Sequence, residues 1–361
     1  MNKVFNYKDE YNRLKEIVDG SLDIYLPNVD RYSSVLNSAM KYSTGAGGKR
    51  LRPVLLLAFA AFGGVNEKAA LPYACAIEYI HTYSLIHDDH PCMDNDDLRR
   101  GKPTNHKVYG DGIALLAGDG LLNSAFDVMF FDIQAAQRAD DMRRRIAASA
   151  EISRAAGVQG MIAGQIADFV MTNPNRRYKK DWEHIIAEGA CFKTEAATAD
   201  EGAYFKTEEA AADEGAVLRY IHRNKTGALL RAAVRAGMIL AGAGEELLGA
   251  VSDYAENLGL VFQIVDDVLD VTGDFEKLGK RTGADAELGK LTYPEVYGVR
   301  KSLEMAEKMT VKAVAAIERA GTLIDRDRCS GAVNAAGHQN LSDFYISFFT
   351  ELALDLQKRI T

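Results

Sequence analysis

The chain has 361 residues, with 43 Lys and Arg against 51 Asp and Glu and a formal charge of −8. At 47% hydrophobic and 26% charged it can bury a sizeable core, which excludes a disordered or fibrous polypeptide. A pI near 5.5 disfavours nonspecific nucleic-acid binding, and the longest apolar run, Val54 to Phe62, is about half the ~18 residues that a membrane span needs.

Taken in chain order, the pattern is helical throughout. Leu14, Ile17, Val18 and Leu22 recur at three and four, which predicts a first helix ending near Pro27. Pro53 to Phe62 reads as a buried helix stopped by Gly63-Gly64. Leu71–Asp89, Ala114–Gln137, Arg143–Ile166, Ala216–Ala241 and Leu247–Asp270 read the same way, and no alternating stretch demands a strand. The expectation is an all-α, single-domain bundle of long helices over residues 1–361. One segment is foreign to it. Glu188–Asp200 and Glu201–Asp213 are 13-residue units that differ only at Cys191/Tyr204, Ala196/Glu209 and Thr198/Ala211. Two units are too few for a solenoid, so they read as a tandem duplication carried as a partly helical insertion. Met1 to Glu16 has no apolar core of an export signal, and Cys75, Cys92, Cys191 and Cys329 form no CxxC pair. Both observations lead us to expect a reducing cytoplasm.

Two acidic clusters carry the chemistry. Asp88, Asp89, Asp94, Asp96 and Asp97 fall within ten residues, interrupted by His90-Pro91. That dipeptide must break the helix, so Asp94 can fold back toward Asp88. In the second, Gln263 lies three or four residues from Asp266 or Asp267, and Gln263, Asp266, Asp270 and Asp274 are spaced to share one helix face. Oxygen-only ligands suit Mg²⁺ better than zinc, and Mg²⁺ keeps positions open for substrate phosphates. Cations lie where phosphates would need them: Lys49, Arg50 and Arg52 beside Gly47-Gly48, then Arg99-Arg100 with Lys102, Lys225 with Thr226, and Lys280-Arg281. His81 lies two turns before Asp88 on the same face and can donate to a second phosphate. Gln165 and Asp168, after the close-packing pair Gly160 and Gly164, read as structural or as supports of the ligating residues rather than as catalytic. No hydrolase triad, GxGxxG or P-loop is present.

These residues together resemble the trans-isoprenyl diphosphate synthases, the farnesyl and geranylgeranyl diphosphate synthase family. The resemblance is carried by GGKRLRP (Gly47–Pro53), HTYSLIHDDHPCMDNDDLRRGKPTNH (His81–His106), GMIAGQIAD (Gly160–Asp168), IHRNKTGALL (Ile221–Leu230), FQIVDDVLDVTGD (Phe262–Asp274) and KLTYP (Lys290–Pro294), in family order. It implies a helical fold around a deep cavity, a homodimer, and head-to-tail 1'-4 condensation of an allylic diphosphate with isopentenyl diphosphate. By motif match Asp88 and Asp94 would hold two Mg²⁺ and Asp266 a third, with Asp89 and Asp270 as supporting acids. Arg99, Lys225, Thr226, Gln263, Lys280 and Lys290 would bind the allylic diphosphate. Gly48, Lys49, Arg52, His81 and Arg100 would bind isopentenyl diphosphate. The resemblance also makes Tyr83 and Ser84, just before Asp88, the chain-length positions. The bulk of Tyr83 predicts a C15 product, farnesyl diphosphate, with the C20 geranylgeranyl diphosphate second. A non-catalytic synthase-like subunit would be expected to have lost an aspartate cluster or the basic residues. A terpene cyclase has no need of GGKRLRP or His81.

His90 departs from the family pattern, which commonly has Leu there, and sets a titratable ring beside the acids. The duplication lies just upstream of Lys225-Thr226. Deleting Glu188 to Asp213 is expected to leave both folding and product formation intact. A folded but inactive deletion would show that the insertion shapes the substrate-binding turn.

Overall fold

A computed structural model describes residues 6–172, 209–273, 289–327 and 339–360. The repeat up to residue 208 lies outside them, as do Asp274, Lys280 and Arg281. The helices are α1 (Tyr7–Tyr25), α2 (Ser34–Thr44), α3 (Leu51–Phe62), α4 (Glu67–Asp88), α5 (Asn105–Tyr109), α6 (Asp111–Gln134), α7 (Ala139–Ala156) and α8 (Met161–Thr172). They continue with α9 (Glu209–Ile221), α10 (Ala228–Leu240), α11 (Glu245–Thr272), α12 (Tyr293–Tyr297), α13 (Val299–Asp327) and α14 (Gln339–Gln357). The expected all-α architecture is the observed one. Helix α9 begins inside the second repeat unit.

Helix α3 is the centre of the bundle because its sequence leaves it no polar face. Every residue except Arg52 is buried, and Pro53 is tolerated because a first-turn residue needs no intrahelical N–H bond. It is packed between α4 and α10, while α4 lies along α6 and α11 along α13. Asn66 caps α4 by accepting from the Lys68 amide at 2.9 Å. Where α14 closes the bundle, the Phe349 ring stacks on Phe59 at 3.9 Å, and the Tyr254 hydroxyl donates to the Phe349 carbonyl at 2.9 Å.

Three local features depart from the periodic reading. The helix expected over Arg143–Ile166 is two, because the chain turns at Gly157, which closes α7 through its N–H to the Ser153 carbonyl at 3.1 Å. The helix expected over Ala216–Ala241 contains a π-helical segment, His222–Gly227, between α9 and α10. A hydrophobic period cannot report such a one-residue widening, and π segments recur at functional sites. A two-stranded hairpin, β1 (Leu98–Arg99) and β2 (Lys102–Pro103), was not expected at all. Its turn needs left-handed backbone at both Arg100 (φ 54°) and Gly101 (φ 75°), the signature of a type I′ turn.

Phe349 is fully buried against Phe59, Phe62 and Tyr254. Phe349→Ala is expected to cost about 3–5 kcal/mol in urea unfolding, from lost transfer energy and the cavity left behind. A loss under about 1 kcal/mol would contradict this packing.

Candidate active site

Asp88 is the last residue of α4, and the turn through His90-Pro91 reverses the chain. The Asp94 amide donates to the Asp88 carbonyl at 2.9 Å, the fold-back that the sequence suggested. The His90 ring turns away from these acids: its Nε2 lies 3.0 Å from the Asp111 carbonyl at the start of α6.

From Asp88 a chain of side-chain contacts runs around the site and returns to it. Gln165 on α8 donates to Asp88 Oδ1 at 2.7 Å. One turn along the same helix, Asp168 accepts from Lys225 Nζ at 2.5 Å. Beside Lys225, Thr226 Oγ1 donates to Gln263 Oε1 on α11 at 2.9 Å, and Gln263 Nε2 donates to Asp267 Oδ1 at 3.3 Å. The second oxygen of Asp267 accepts from the Tyr293 amide at 2.9 Å. Three residues earlier on that loop, Lys290 Nζ reaches Asp94 Oδ2 at 3.1 Å. The two aspartate motifs therefore meet through the Lys290–Tyr293 loop, although more than 160 residues of sequence separate them.

Local structure places these groups. The π segment turns Lys225 toward α8 and Thr226 toward α11. Gly164 lets α8 approach that segment: a Cβ at this position would collide with the Lys225 backbone. Within the second motif Asp266 is half-buried, whereas Asp267 and Asp270 are 3% and 2% exposed. In the sequence Asp267 is the alternative to Asp266 at the spacing from Gln263, and Gln165 and Asp168 read as structural residues or supports of the ligating groups, which is the part Gln165 and Asp168 take here. Spacing alone offered no signal that the groups they hold are Asp88 and Lys225.

The cations expected to bind diphosphate are paired here with acids. Besides Lys225–Asp168 and Lys290–Asp94, Arg99 contacts Asp89 at 2.5 Å and Asp96 at 3.1 Å. Burial pushes the Asp89 carboxyl up to about 6 against the opposing pull of Arg99. Burial also raises Asp88; Lys225 opposes that shift and Asp94 reinforces it. Both carboxylates therefore take up protons more readily than a free aspartate and need a strong cation nearby to stay ionised.

A second, arginine-rich cluster lies between α3, α4 and the hairpin. Arg100 donates to the Gly47 carbonyl, and its guanidinium lies over Gly48, where any Cβ would clash. Burial lowers Arg52 to about 10, still charged at neutral pH. Burial and then Arg52, Arg100, Arg99 and Arg50 hold His81 well below the usual imidazole range, so it faces this cluster as a neutral ring. Lys49 reaches toward α11, its Nζ 5.2 Å from the centroid of the Phe262 ring.

Of the chain-length positions, Ser84 lies about 40° around α4 from Asp88 and Tyr83 about 140°. Ser84 is half-buried and donates to the His81 carbonyl at 2.9 Å. Tyr83 is buried, edge-on to His87 at 5.6 Å, and His87 Nε2 lies 3.1 Å from the Leu115 carbonyl of α6. Burial, and then the charge of Asp88, raises the Tyr83 hydroxyl to about 12, so this ring too lies within reach of the acid. Lys280, also expected at the site, lies outside the described residues.

Among the described residues no three acidic, His or Cys side chains form a ready-made metal cage. Mg²⁺ is typically held by one or two carboxylates with substrate phosphates completing its shell. The donors present are hard oxygens, so the residues fit this ion.

Gly164→Ala is expected to destabilise the protein by about 1–3 kcal/mol in chemical unfolding, because the added methyl meets backbone rather than a flexible side chain. An unchanged unfolding midpoint would contradict the close approach of α8 to the π segment.

The polyprenyl synthetase family model matches residues 33–322. Curated relatives at 39–42% identity are mostly named geranylgeranyl pyrophosphate synthases. One of them, geranylgeranyl pyrophosphate synthase 3, chloroplastic, of Arabidopsis thaliana, is 42% identical over 86% of this chain and 76% of its own length. An apo FPP/GFPP synthase from Zymomonas mobilis superposes with a TM-score of 0.67 at 27% identity, over 96% of this chain and 99% of the other. The fold is also that of a Helicobacter pylori geranyltransferase complexed with magnesium and isoprenyl diphosphate, with a TM-score of 0.70 at 24% identity over 99% and 100% of the two chains. Two facing aspartate motifs, the cations paired with them and a family match across most of the chain lead to one assignment: the protein belongs to the polyprenyl synthetase family of trans-isoprenyl diphosphate synthases and is a prenyl chain-elongating transferase.

Proposed function

We propose that the protein condenses isopentenyl diphosphate with an allylic diphosphate in the ring-shaped site, to geranylgeranyl diphosphate (C20) as the end product. The carrying observation is the ring itself, which joins both aspartate motifs and two of the lysines around one space. Mg²⁺, about three ions with diphosphate bound, would be held by Asp88 and Asp94 with Asp89 in support, and by Asp266 with Asp270. When bound, the ions neutralise the allylic diphosphate and make it a better leaving group. Arg99, Lys225 and Lys290 would then exchange their carboxylate partners for phosphate oxygens, joined by Thr226, Gln263 and Lys280. Lys49, Arg52, His81, Arg100 and the open backbone at Gly48 would take isopentenyl diphosphate in the second cluster. The departing pyrophosphate leaves an allylic cation, the isopentenyl double bond attacks it, and a proton is lost to the pyrophosphate. An apolar, water-poor surround protects that cation.

The C20 reading follows the names of the relatives and the position of small Ser84 beneath Asp88. A C15 product is the second reading, favoured by the bulk of Tyr83. A second copy of the chain is the partner that fits α6, an apolar helix with Leu115, Leu116, Phe130 and Phe131 at 46%, 57%, 57% and 71% exposure. A cytoplasmic setting agrees with unpaired Cys75 and Cys92.

The test is product analysis with labelled isopentenyl diphosphate, Mg²⁺ and dimethylallyl, geranyl or farnesyl diphosphate supplied separately. Extension of farnesyl diphosphate to C20 is the expected result. Arrest at C15, relieved by Tyr83→Ala, would establish the second reading. A folded protein that incorporates no isopentenyl diphosphate would overturn both.

A further inference from the structure

Arg50 sits among residues expected to bind isopentenyl diphosphate but points away from them. It is the residue ahead of α3 and adopts left-handed backbone, φ 53° and ψ 32°, which L side chains seldom do. Its side chain is 1% exposed, and three elements claim its guanidinium. Nε meets Asp19 of α1 at 2.8 Å, Nη1 meets Glu78 of α4 at 2.6 Å, and Nη2 donates to the Thr44 carbonyl at the end of α2 at 2.5 Å. A fork that fills three directions at once fixes the backbone it grows from, in a way a lysine cannot. The backbone fixed here is the Gly47–Leu51 turn, where Gly47 and Gly48 also have positive φ, 79° and 121°.

Glu78 is the other half of the device. Its side chain is 1% exposed, one oxygen is given to Arg50, and the second has no hydrogen-bond partner. Its charge nevertheless favours the charged forms of Arg50, Arg52 and Arg100. A buried carboxylate with a free oxygen beside three arginines does more than close one ion pair; it offsets their mutual repulsion. Arg52 Nε is likewise buried and unpartnered, so the cluster keeps unused donor capacity for an anion.

We infer that Arg50 and Glu78, anchored by Asp19, are positioning residues for the second diphosphate site: they hold the Gly47–Pro53 turn in the shape that presents Lys49 and Arg52 alongside Arg100. They do not touch substrate. The inference rests on the reading of this cluster as the isopentenyl diphosphate site.

The experiment is steady-state kinetics of the full chain with each substrate varied in turn, for Arg50→Lys, Glu78→Gln and Asp19→Asn. Arg50→Lys keeps the charge and loses the fork; Glu78→Gln keeps the shape and loses the charge. Both are expected to raise KM for isopentenyl diphosphate about tenfold or more, equivalent to about 1.4 kcal/mol or more. The allylic KM should stay within about twofold. A general loss of structure would lower kcat and the fraction of active enzyme without separating the two KM values, and that outcome would overturn the inference. Should the buried variants fail to fold, Asp19→Asn decides, since Asp19 is 39% exposed at its side chain. A rise of about threefold in the isopentenyl KM supports the device, and unchanged KM values refute it. Wild-type enzyme that does not use isopentenyl diphosphate would instead remove the reading on which the inference rests.

Discussion

Everything at the site depends on keeping carboxylates ionised inside an apolar bundle. Asp88, Asp89, Asp267 and Asp270 lie where burial disfavours charge, and an isolated buried carboxylate would protonate rather than stay an anion. The fold answers with local pairing: Arg99 at Asp89, Lys290 at Asp94, Lys225 at Asp168, and amide donors at Asp88 and Asp267. The two unusual backbone features of the site serve the same end. The π segment aims Lys225 and Thr226 in different directions, and Gly164 lets α8 come close enough to use them. In the proposed mechanism these pairs are also the resting form of the site, since metal ions and diphosphate can replace the two halves of each pair together.

The two anion sites differ in how they obtain positive charge. The ring through Asp88, Asp94, Asp168 and Asp267 is rich in acid, so a diphosphate there would need metal ions between itself and the protein. The cluster around Arg52 and Arg100 supplies its own cations, with Glu78 in opposition and His81 kept neutral by its surroundings. In the proposed mechanism that asymmetry would give each substrate a place by charge: a metal-bound allylic diphosphate on one side, and isopentenyl diphosphate without an ion on the other.

How much of this was legible in the sequence varied with the range of the interaction. Helical periodicity located the long elements as far as Asp270, because one face of each helix must be apolar, but it left out α2, α13 (Val299–Asp327) and α14 (Gln339–Gln357). The aspartate clusters and their neighbouring cations were visible as composition at short range, and the fold-back of Asp94 followed from His90-Pro91. The ring was not visible, because Gln165, Lys225, Gln263 and Tyr293 come from separate elements whose contacts no local pattern encodes. Arg50 read as one more cation placed for phosphate beside Lys49 and Arg52; only its left-handed backbone and three partners reveal an inward anchor. Tyr83 read as a bulky floor from its place before Asp88; that it is buried edge-on to His87 is a matter of packing no local pattern encodes.

The sequence by itself determined the helical class, the oxygen-donor chemistry of the two aspartate motifs and, through the order of its motifs, the family. These are properties of residue type and short spacing, which the chain carries wherever it folds. Tertiary structure decided which acid meets which cation and that the two motifs are joined through the Lys290–Tyr293 loop. Those outcomes depend on packing between segments far apart in the chain, and on backbone exceptions at Arg50, Gly164 and His222–Gly227 that hydrophobic periodicity cannot encode.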